Sequence, residues 1–292
     1  MKELDIKISY SCNNFCIFCL NKDKRNYGEF PILVLKDQIE KSAKAGGEKV
    51  IISGGEPLIS PYFFELLVFI KEQGIRQIEV QTNGRMLYYE ELVKKINKFQ
   101  PIGFLVSLHF PTPDLYKKYC KSDGFYQVVG GIKNLVKYKC NFTVNIVIMK
   151  PNLPYLKNLI VLLKKLGATK IQYRFIDGKN IMERYKEFVP KYTEVTSIIK
   201  ETIKENPDIN ISVNEIPVCV LGEKFKDNVI FLINPNRLNL STRNQLFTSK
   251  EIINKQFTHP NCKKCVYIST CPGIRKEYYQ IYGDKELKPI EK

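Results

Sequence analysis

Long apolar runs are missing from this chain. No segment approaches the roughly 18 consecutive apolar residues that a bilayer-spanning helix needs, so we expect no membrane association. The first residues, 1–7, also lack the apolar core and the small-residue cleavage site of a signal peptide. We therefore expect a cytoplasmic protein. In that reducing compartment the nine cysteines favour metal binding over disulfides.

Dense basic blocks are missing as well, although the net charge is +16 and the isoelectric point is near 9.3. Such an excess raises the question of a nucleic-acid partner. However, lysine is spread along the whole chain and arginine is scarce. This even spread favours a solvated surface, and a nucleic-acid partner is not favoured.

The first part of the chain alternates short β-branched runs with longer helical stretches. The predicted strands lie near 4–10, 48–53, 76–82, 103–109, 142–149 and 170–176. The predicted helices lie near 35–46, 61–73, 88–98, 112–138 and 154–167. This alternation predicts parallel strands joined by right-handed crossovers. The expected fold class is α/β, as an open six-stranded partial (β/α)6 barrel with a small C-terminal domain.

Four of the predicted strands carry one apolar face and one more polar face, because side chains alternate with a period of two. The polar members are Gln77, Glu79, Gln81, Ser107, His109, Thr143, Asn145, Gln172 and Arg174. A purely structural barrel fills its interior with branched apolar side chains. A polar interior therefore predicts a polar ligand inside the barrel.

Three cysteines follow the first predicted strand, with the spacing C-x3-C-x2-C. They are Cys12, Cys16 and Cys19, and an aromatic residue, Phe18, precedes the last. Three thiolates on one loop can hold three irons of a 4Fe–4S cluster and leave the fourth iron open. A zinc knuckle or a disulfide cluster is the alternative, but no fourth zinc ligand lies near this loop in sequence.

The cysteine motif resembles the signature of the radical S-adenosylmethionine (SAM) superfamily. The resemblance implies that the open iron binds SAM and that one electron cleaves SAM to methionine and a 5′-deoxyadenosyl radical. This radical then removes a hydrogen atom from the substrate. The resemblance also implies an electron donor such as flavodoxin or ferredoxin.

Further segments resemble SAM-binding motifs of the same family. The run 54–57 resembles its GGEP motif, which binds the amino group of SAM, and 82–84 resembles its TNG segment. A simple strand-to-helix turn and an ordinary Asn-Gly turn are the alternatives. The resemblance implies SAM-binding roles for Phe18, Gly54, Gly55, Glu56, Pro57, Thr82, Asn83, Ser107 and Asn145.

Two side chains are candidates for catalysis. His109 is one of two histidines and ends the fourth predicted strand, where either a structural or a functional role fits. The guanidinium of Arg174 suits a carboxylate or a phosphate of the substrate or of SAM. The alternative for Arg174 is a salt bridge to Glu79.

A second cysteine group lies near the C-terminus, where Cys262, Cys265 and Cys271 have the spacing C-x2-C-x5-C. With Cys219 this group resembles the twitch and SPASM auxiliary-cluster domains, and implies a second 4Fe–4S cluster with these four ligands. Two alternatives stay open for Cys219, namely an auxiliary cluster with an open iron, and His259 as the fourth ligand. A structural zinc site is a third interpretation.

The predicted domains are a radical SAM barrel over 1–190 and an auxiliary-cluster domain over 191–292. Cys120 and Cys140 are predicted to be buried free thiols. A fully ligated auxiliary cluster suits electron acceptance, so we expect oxidative modification or crosslinking of a peptide or protein side chain. The alternative is radical rearrangement or oxidation of a small anionic metabolite, such as a nucleotide or a sugar phosphate. An electron carrier or a zinc-stabilised scaffold without catalysis is a third hypothesis, against which the polar interior argues.

Overall fold

The centre of the fold is a ten-stranded sheet in which eight strands follow one another in chain order, all parallel. The structure is a computed structural model that describes residues 2–230, 237–240, 246–248 and 256–291. The eight strands are β1 (Glu3–Ser9), β2 (Lys49–Gly54), β3 (Gln77–Thr82), β4 (Ile102–Ser107), β5 (Asn141–Ile148), β6 (Lys170–Phe175), β7 (Asn210–Asn214) and β8 (Val229–Ile230).

Helices connect these strands and bury their apolar faces against the sheet. They are α1 (Ile32–Lys44), α2 (Phe63–Glu72), α3 (Glu90–Asn97), α4 (Pro113–Cys120), α5 (Phe125–Lys137), α6 (Leu156–Lys165), α7 (Tyr185–Phe188), α8 (Tyr192–Glu205) and α9 (Val218–Leu221). Within the described residues no helix is both long and apolar enough to cross a membrane.

The sheet does not close into a full barrel. A strand β9 (Arg237–Leu240) pairs in parallel with β1, and β10 (Leu246–Thr248) pairs antiparallel with β9, so that β8 and β10 form the two edges. A separate antiparallel pair, β11 (Gln256–Phe257) and β12 (Ile274–Arg275), precedes a last helix, α10 (Lys276–Tyr282).

The predicted α/β partial barrel is therefore confirmed, and the sheet is wider than the six predicted strands. The amphipathic helix α8 buries Tyr192, Val195 and Ile199 and leads into β7, which continues the parallel order. The alternation of strands and helices is interrupted in the sequence after β6, because a 3₁₀ turn and the short helix α7 lie between β6 and α8. The predicted domain boundary at residue 190 stays a prediction.

One predicted helix is wrong in its length. The stretch 112–138 forms two helices, α4 and α5, because Lys121 adopts a left-handed conformation with φ of 52° and ends α4 at Cys120. The break matters for the site, because the carbonyl groups of Tyr119 and Cys120 are then available to accept hydrogen bonds from the cysteine loop.

Helix α10 packs on the barrel through a cluster of aromatic rings. The ring of Tyr192 contacts those of Phe175 and Tyr278 at centroid distances of 4.5 and 4.4 Å, and the latter two centroids are 5.9 Å apart. The Tyr278 hydroxyl accepts a hydrogen bond of 2.9 Å from the Tyr192 backbone N–H. The C-terminal segment is thus attached directly to the wall of the barrel.

We expect Tyr192→Ala to lower the free energy of unfolding by about 3–5 kcal/mol, as other truncations of buried aromatic residues do. Tyr126 is 69% exposed, and Tyr126→Ala serves as the matched control. The control is expected to cost less than about 0.5 kcal/mol. Urea unfolding followed by circular dichroism measures both values, and equal effects in the two variants would contradict the described packing.

Candidate active site

The barrel encloses a cavity of about 680 Å³. Polar side chains from the predicted inner faces line it, namely Glu79, Gln81, Ser107, His109, Gln172 and Arg174. The alternate side chains of the same strands, such as Val106 and Ile171, are buried under the helices. The prediction of a polar interior is therefore confirmed for β3, β4 and β6, whereas Thr143 and Asn145 of β5 are outside the lining.

The cysteine loop lies at the carboxyl end of β1 and borders this cavity. Cys12, Cys16 and Cys19 are all free thiols, partly exposed, and line the cavity. The backbone N–H of Phe15 donates to the Cys120 carbonyl at 3.0 Å, and that of Ile17 donates to the Tyr119 carbonyl at 3.1 Å. The C-terminal end of α4 therefore holds the cysteine loop in place.

The Gly-Gly segment after β2 lies against the backbone of the cysteine loop. The N–H of Gly55 donates to the Ser9 carbonyl at 2.7 Å, and the N–H of Glu56 donates to the Ser11 carbonyl at 2.9 Å. A Cβ on Gly54 or on Gly55 would stand 2.1 Å from one of these carbonyl oxygens. Glycine is required here because two backbone segments approach so closely.

The Glu56 side chain joins two of the predicted SAM-binding motifs. Its carboxyl group is fully buried and accepts hydrogen bonds from the Thr82 hydroxyl at 2.7 Å, the Asn83 N–H at 2.7 Å and the Leu58 N–H at 3.0 Å. Burial raises the pKa of Glu56 to about 7, although these hydrogen bonds oppose the rise. Glu56 and Pro57 stand behind the cavity wall, whereas Gly54, Gly55, Thr82 and Asn83 line it.

Arg85 is a site residue that was not predicted from the sequence. One guanidinium nitrogen donates to the Asn13 carbonyl and, at 3.2 Å, to Asn14 Oδ1, while Nε donates to Gln127 at 2.6 Å. Asn83 Nδ2 also donates to Asn13 Oδ1, at 2.6 Å. These contacts tie the end of β3 to the cysteine loop. Their only sequence signal is that Arg85 follows the TNG segment.

The thiols of Cys12 and Cys16 have different electrostatic surroundings. Burial raises the pKa of Cys12 to about 11. A hydrogen bond with the Cys120 thiol lowers the pKa of Cys16, and the positive charge of Arg25 adds to this effect. Thiolates are the usual ligands of iron–sulfur clusters, so the chemistry of this donor set fits such a cluster. Among the described residues, no three His, Cys, Asp or Glu side chains stand close enough together to hold a single metal ion.

His109 lies in the cavity wall next to Phe18, with the two rings edge to face at 5.3 Å. Full burial lowers the pKa of His109 to about 4, so the imidazole is neutral at physiological pH. Its Nδ1 accepts a hydrogen bond of 3.1 Å from the Val147 N–H, which leaves Nε2–H as a donor. His109 can therefore bind a ligand oxygen but is a poor source of protons.

Ser107 and Asn145 are register partners on β4 and β5. Ser107 lines the cavity, whereas Asn145 is buried behind it. Asn145 Oδ1 is buried without a hydrogen-bond partner among the described residues. An unsatisfied buried acceptor of this kind costs about 1–3 kcal/mol, and the predicted SAM-binding role of Asn145 stays a prediction.

Arg174 belongs to an ion-pair network at the carboxyl end of the barrel. Its guanidinium binds Glu215 Oε1 at 2.9 Å, while Arg275 binds Glu215 Oε2 at 2.8 Å and Asp177 at 2.6 Å. The alternative salt bridge of Arg174 to Glu79 is not formed, since Glu79 binds Lys49 at 2.7 Å. The two arginines hold the pKa of Glu215 below its ordinary value, although burial opposes this.

All basic side chains that line the described cavity have a carboxylate partner. Besides the two arginines, Lys7 binds Asp5 at 2.6 Å and Lys49 binds Glu79. The interior is therefore close to electrically neutral, in contrast to the strongly basic chain as a whole.

The four C-terminal cysteines line one small pocket beside this cavity. Cys219, Cys262, Cys265 and Cys271 all contribute to it and are free thiols. Pro272, next to Cys271, lines the large cavity, so the pocket and the cavity adjoin. His259 is outside this lining; its Nδ1 accepts a hydrogen bond from the Asn261 N–H, and its Nε2 is 3.8 Å from Asp284. The predicted ligand sets stay predictions.

Comparison with known proteins identifies the class. Residues 6–163 match the model of the radical SAM superfamily. A probable GTP 3′,8-cyclase of Methanocaldococcus jannaschii is 30% identical over 221 residues, which cover 73% of this chain and 70% of the relative. A second probable GTP 3′,8-cyclase, of Saccharolobus solfataricus, is 27% identical over 257 residues and covers 76% of this chain and 81% of the relative.

Solved structures with bound S-adenosylmethionine share the fold. Native anSMEcpe with bound AdoMet superimposes with a TM-score of 0.71 at 18% identity, covering 98% of this chain and 93% of that one. Streptococcus suis SuiB bound to S-adenosylmethionine has a TM-score of 0.70 at 14% identity, covering 99% and 76%. The chain belongs to the radical SAM superfamily, and it is an enzyme of that class.

The buried Glu56 generates a pH-dependence that can be measured. Its raised pKa means that the folded chain binds a proton between about pH 4.5 and pH 7 that the unfolded chain has released, so its contribution to stability falls as pH rises through this window. Glu56→Gln lacks this titration. The free energy of unfolding of the variant minus that of wild type should therefore rise by up to about 3 kcal/mol as the pH is raised from about 5 to about 8.

Urea unfolding of both proteins across this pH range is the measurement, and Glu205→Gln on the exposed face of α8 is the control. The control should follow the wild-type profile. A difference between Glu56→Gln and wild type that is independent of pH would contradict the raised pKa.

Proposed function

We propose that this radical SAM enzyme oxidises or crosslinks a side chain of a peptide or protein. The observation that carries the proposal is the pocket formed by the thiols of Cys219, Cys262, Cys265 and Cys271. Four thiolates suit a fully ligated 4Fe–4S cluster, with no iron left open for the substrate. The predicted twitch-like domain, the second cluster and a cytoplasmic location belong to this proposal.

The position of that pocket suits an electron acceptor. When bound, the first cluster and SAM supply the radical that takes one hydrogen atom from the substrate. A net oxidation then requires the loss of a second electron. Because the four-cysteine pocket adjoins the cavity through Cys271 and Pro272, an acceptor held there would lie next to the substrate.

The charges in the cavity favour a substrate without dense negative charge. A triphosphate would have to draw Arg174 or Arg275 away from Glu215, whose side chain is 5% exposed. Glu215 would keep only one of its two arginine partners, and weakening the pairing of a buried charge is costly. A peptide side chain and its flanking amide groups need no such rearrangement, since Ser107 and the Nε2–H of His109 can bind them.

The second candidate is rearrangement or oxidation of a small anionic metabolite. It is favoured by the similarity to the probable GTP 3′,8-cyclases, at 30% and 27% identity. In that case Arg174 would bind the phosphate groups, and an open iron in the auxiliary cluster would replace ligation by Cys219.

Cys16→Ala is expected to abolish SAM cleavage and to leave the auxiliary cluster in place, because Cys16 belongs only to the first thiol set. Cys140→Ala is the matched control, since Cys140 is a buried thiol outside both sets. Iron and sulfide analysis counts the clusters, and chromatography of 5′-deoxyadenosine measures cleavage. Retained cleavage in Cys16→Ala would disprove the assignment of the first cluster.

Cys219→Ala distinguishes the two candidate substrates. We expect two clusters in the wild type, of which only one responds to SAM in the reduced-state EPR spectrum, and loss or alteration of the other in the variant. Wild-type protein is then incubated with SAM, dithionite and either a peptide library or GTP. Removal of a pair of hydrogens from a peptide supports the proposal. An EPR spectrum unchanged by the mutation, together with consumption of GTP, supports the anionic metabolite instead.

A further inference from the structure

Two exposed apolar side chains in and after the cysteine loop do not line the cavity. Phe15, beside Cys16 in the chain, is 59% exposed. Tyr27, at the end of the following 3₁₀ turn, is 68% exposed. The cavity side of the same loop faces the site already described, so this second side needs its own explanation.

Basic side chains surround these apolar groups. Lys22, Lys24 and Arg25 all lie in the 3₁₀ turn Lys22–Tyr27, whose one acid is Asp23. The guanidinium of Arg25 covers the Phe15 ring at 4.5 Å. We call this surface the loop-side face; it comprises the apolar residues Phe15 and Tyr27 and the basic residues Lys22, Lys24, Arg25 and Lys179.

Lys179 joins the loop-side face from another part of the chain. The side-chain amide of Asn180 donates to the Leu20 carbonyl at 2.6 Å, which places the segment after β6 against the cysteine loop. Burial lowers the pKa of Lys24, and the positive charge of Lys179 contributes to this shift. Lys24 and Lys179 are therefore close enough to repel each other.

The basic residues of the loop-side face differ from those of the cavity. Each basic side chain that lines the cavity is paired with a carboxylate. For the four basic side chains of the loop-side face, no ion pair to a described residue is found, and Arg25 Nε is buried without a hydrogen-bond partner. Unpaired cations around an apolar centre are typical of a surface that binds an acidic protein.

We propose that the loop-side face is the docking surface for an acidic electron-carrier protein, which delivers the electron to a cluster held by Cys12, Cys16 and Cys19. Electron transfer weakens steeply with distance, so the carrier has to dock close to these cysteines. The loop-side face is the outer surface of the loop that carries them. This inference rests on membership of the radical SAM superfamily and is independent of the substrate.

A double charge reversal tests the docking surface. Lys22→Glu/Lys179→Glu changes the loop-side face, and Lys133→Glu/Lys165→Glu makes the same change in net charge at exposed positions on α5 and α6. Titration calorimetry of the cluster-loaded protein measures the Kd for an acidic flavodoxin. The first variant should bind about tenfold or more weakly at low salt and the control less than about threefold more weakly, and the difference should shrink as salt is added.

Phe15→Ser tests the apolar centre without changing the charge, and it should weaken flavodoxin binding at high salt as well.

A second readout compares reductants: Lys22→Glu/Lys179→Glu should cleave SAM normally with dithionite but slowly with reduced flavodoxin. Equal weakening in both double variants would overturn the proposal. So would the absence of binding between wild type and either an acidic flavodoxin or an acidic ferredoxin. Loss of RNA binding alone in the first double variant would show that the surface binds nucleic acid.

Failure of the docking surface is distinguishable from failure of the assigned chemistry. If wild-type protein does not cleave SAM even with dithionite, the assignment of the first cluster fails. If dithionite supports cleavage and the variants bind flavodoxin as wild type does, only the docking surface fails.

Discussion

The arrangement of the site depends on one buried carboxyl group. Glu56 accepts hydrogen bonds from the end of β3 and from its own turn, while its backbone N–H donates to the cysteine loop. Three segments that are distant in the sequence therefore meet at a single residue. Such a buried acceptor is costly to move, because every donor that it satisfies would lose its partner. The loop that carries the cysteines is thereby held at a fixed distance from the third strand.

The second feature of the site is the balance of charge in its cavity, which contrasts with the basic protein around it. The chain carries a net charge of +16, yet the basic side chains lining the described cavity are matched by carboxylates. The unpaired positive charge instead lies outside, and part of it surrounds the cysteine loop. Positive charge on the surface can attract an acidic protein over a distance, whereas a neutral cavity selects its ligand by shape and by hydrogen bonds. Substrate choice and electron supply are therefore assigned to different faces of the same loop.

Features that depend on local sequence patterns could be predicted, whereas features that depend on contacts between distant residues could not. The alternation of strands and helices and the parity of Ser107 and Arg174 follow from local periodicity, which is why the partial barrel and its polar interior could be predicted. The pairing of Arg174 with Glu215 could not, because the two residues are 41 positions apart and nothing local joins them. The same holds for Arg85, whose partners lie on a loop 71 or 72 residues earlier. The break after Cys120 was missed because a lysine, rather than a glycine, adopts the left-handed conformation.

The hydrogen bond between Glu215 and Arg275 also affects when the cavity is completed. These residues are 60 positions apart, and Arg275 lies near the C-terminus. During synthesis the first cysteine loop and most of the barrel strands leave the ribosome well before Arg275 does. One side of the cavity is therefore completed last, by the closure of a long loop that carries an entropic cost of its own. Until then the buried carboxylate of Glu215 has only Arg174 of its two arginine partners.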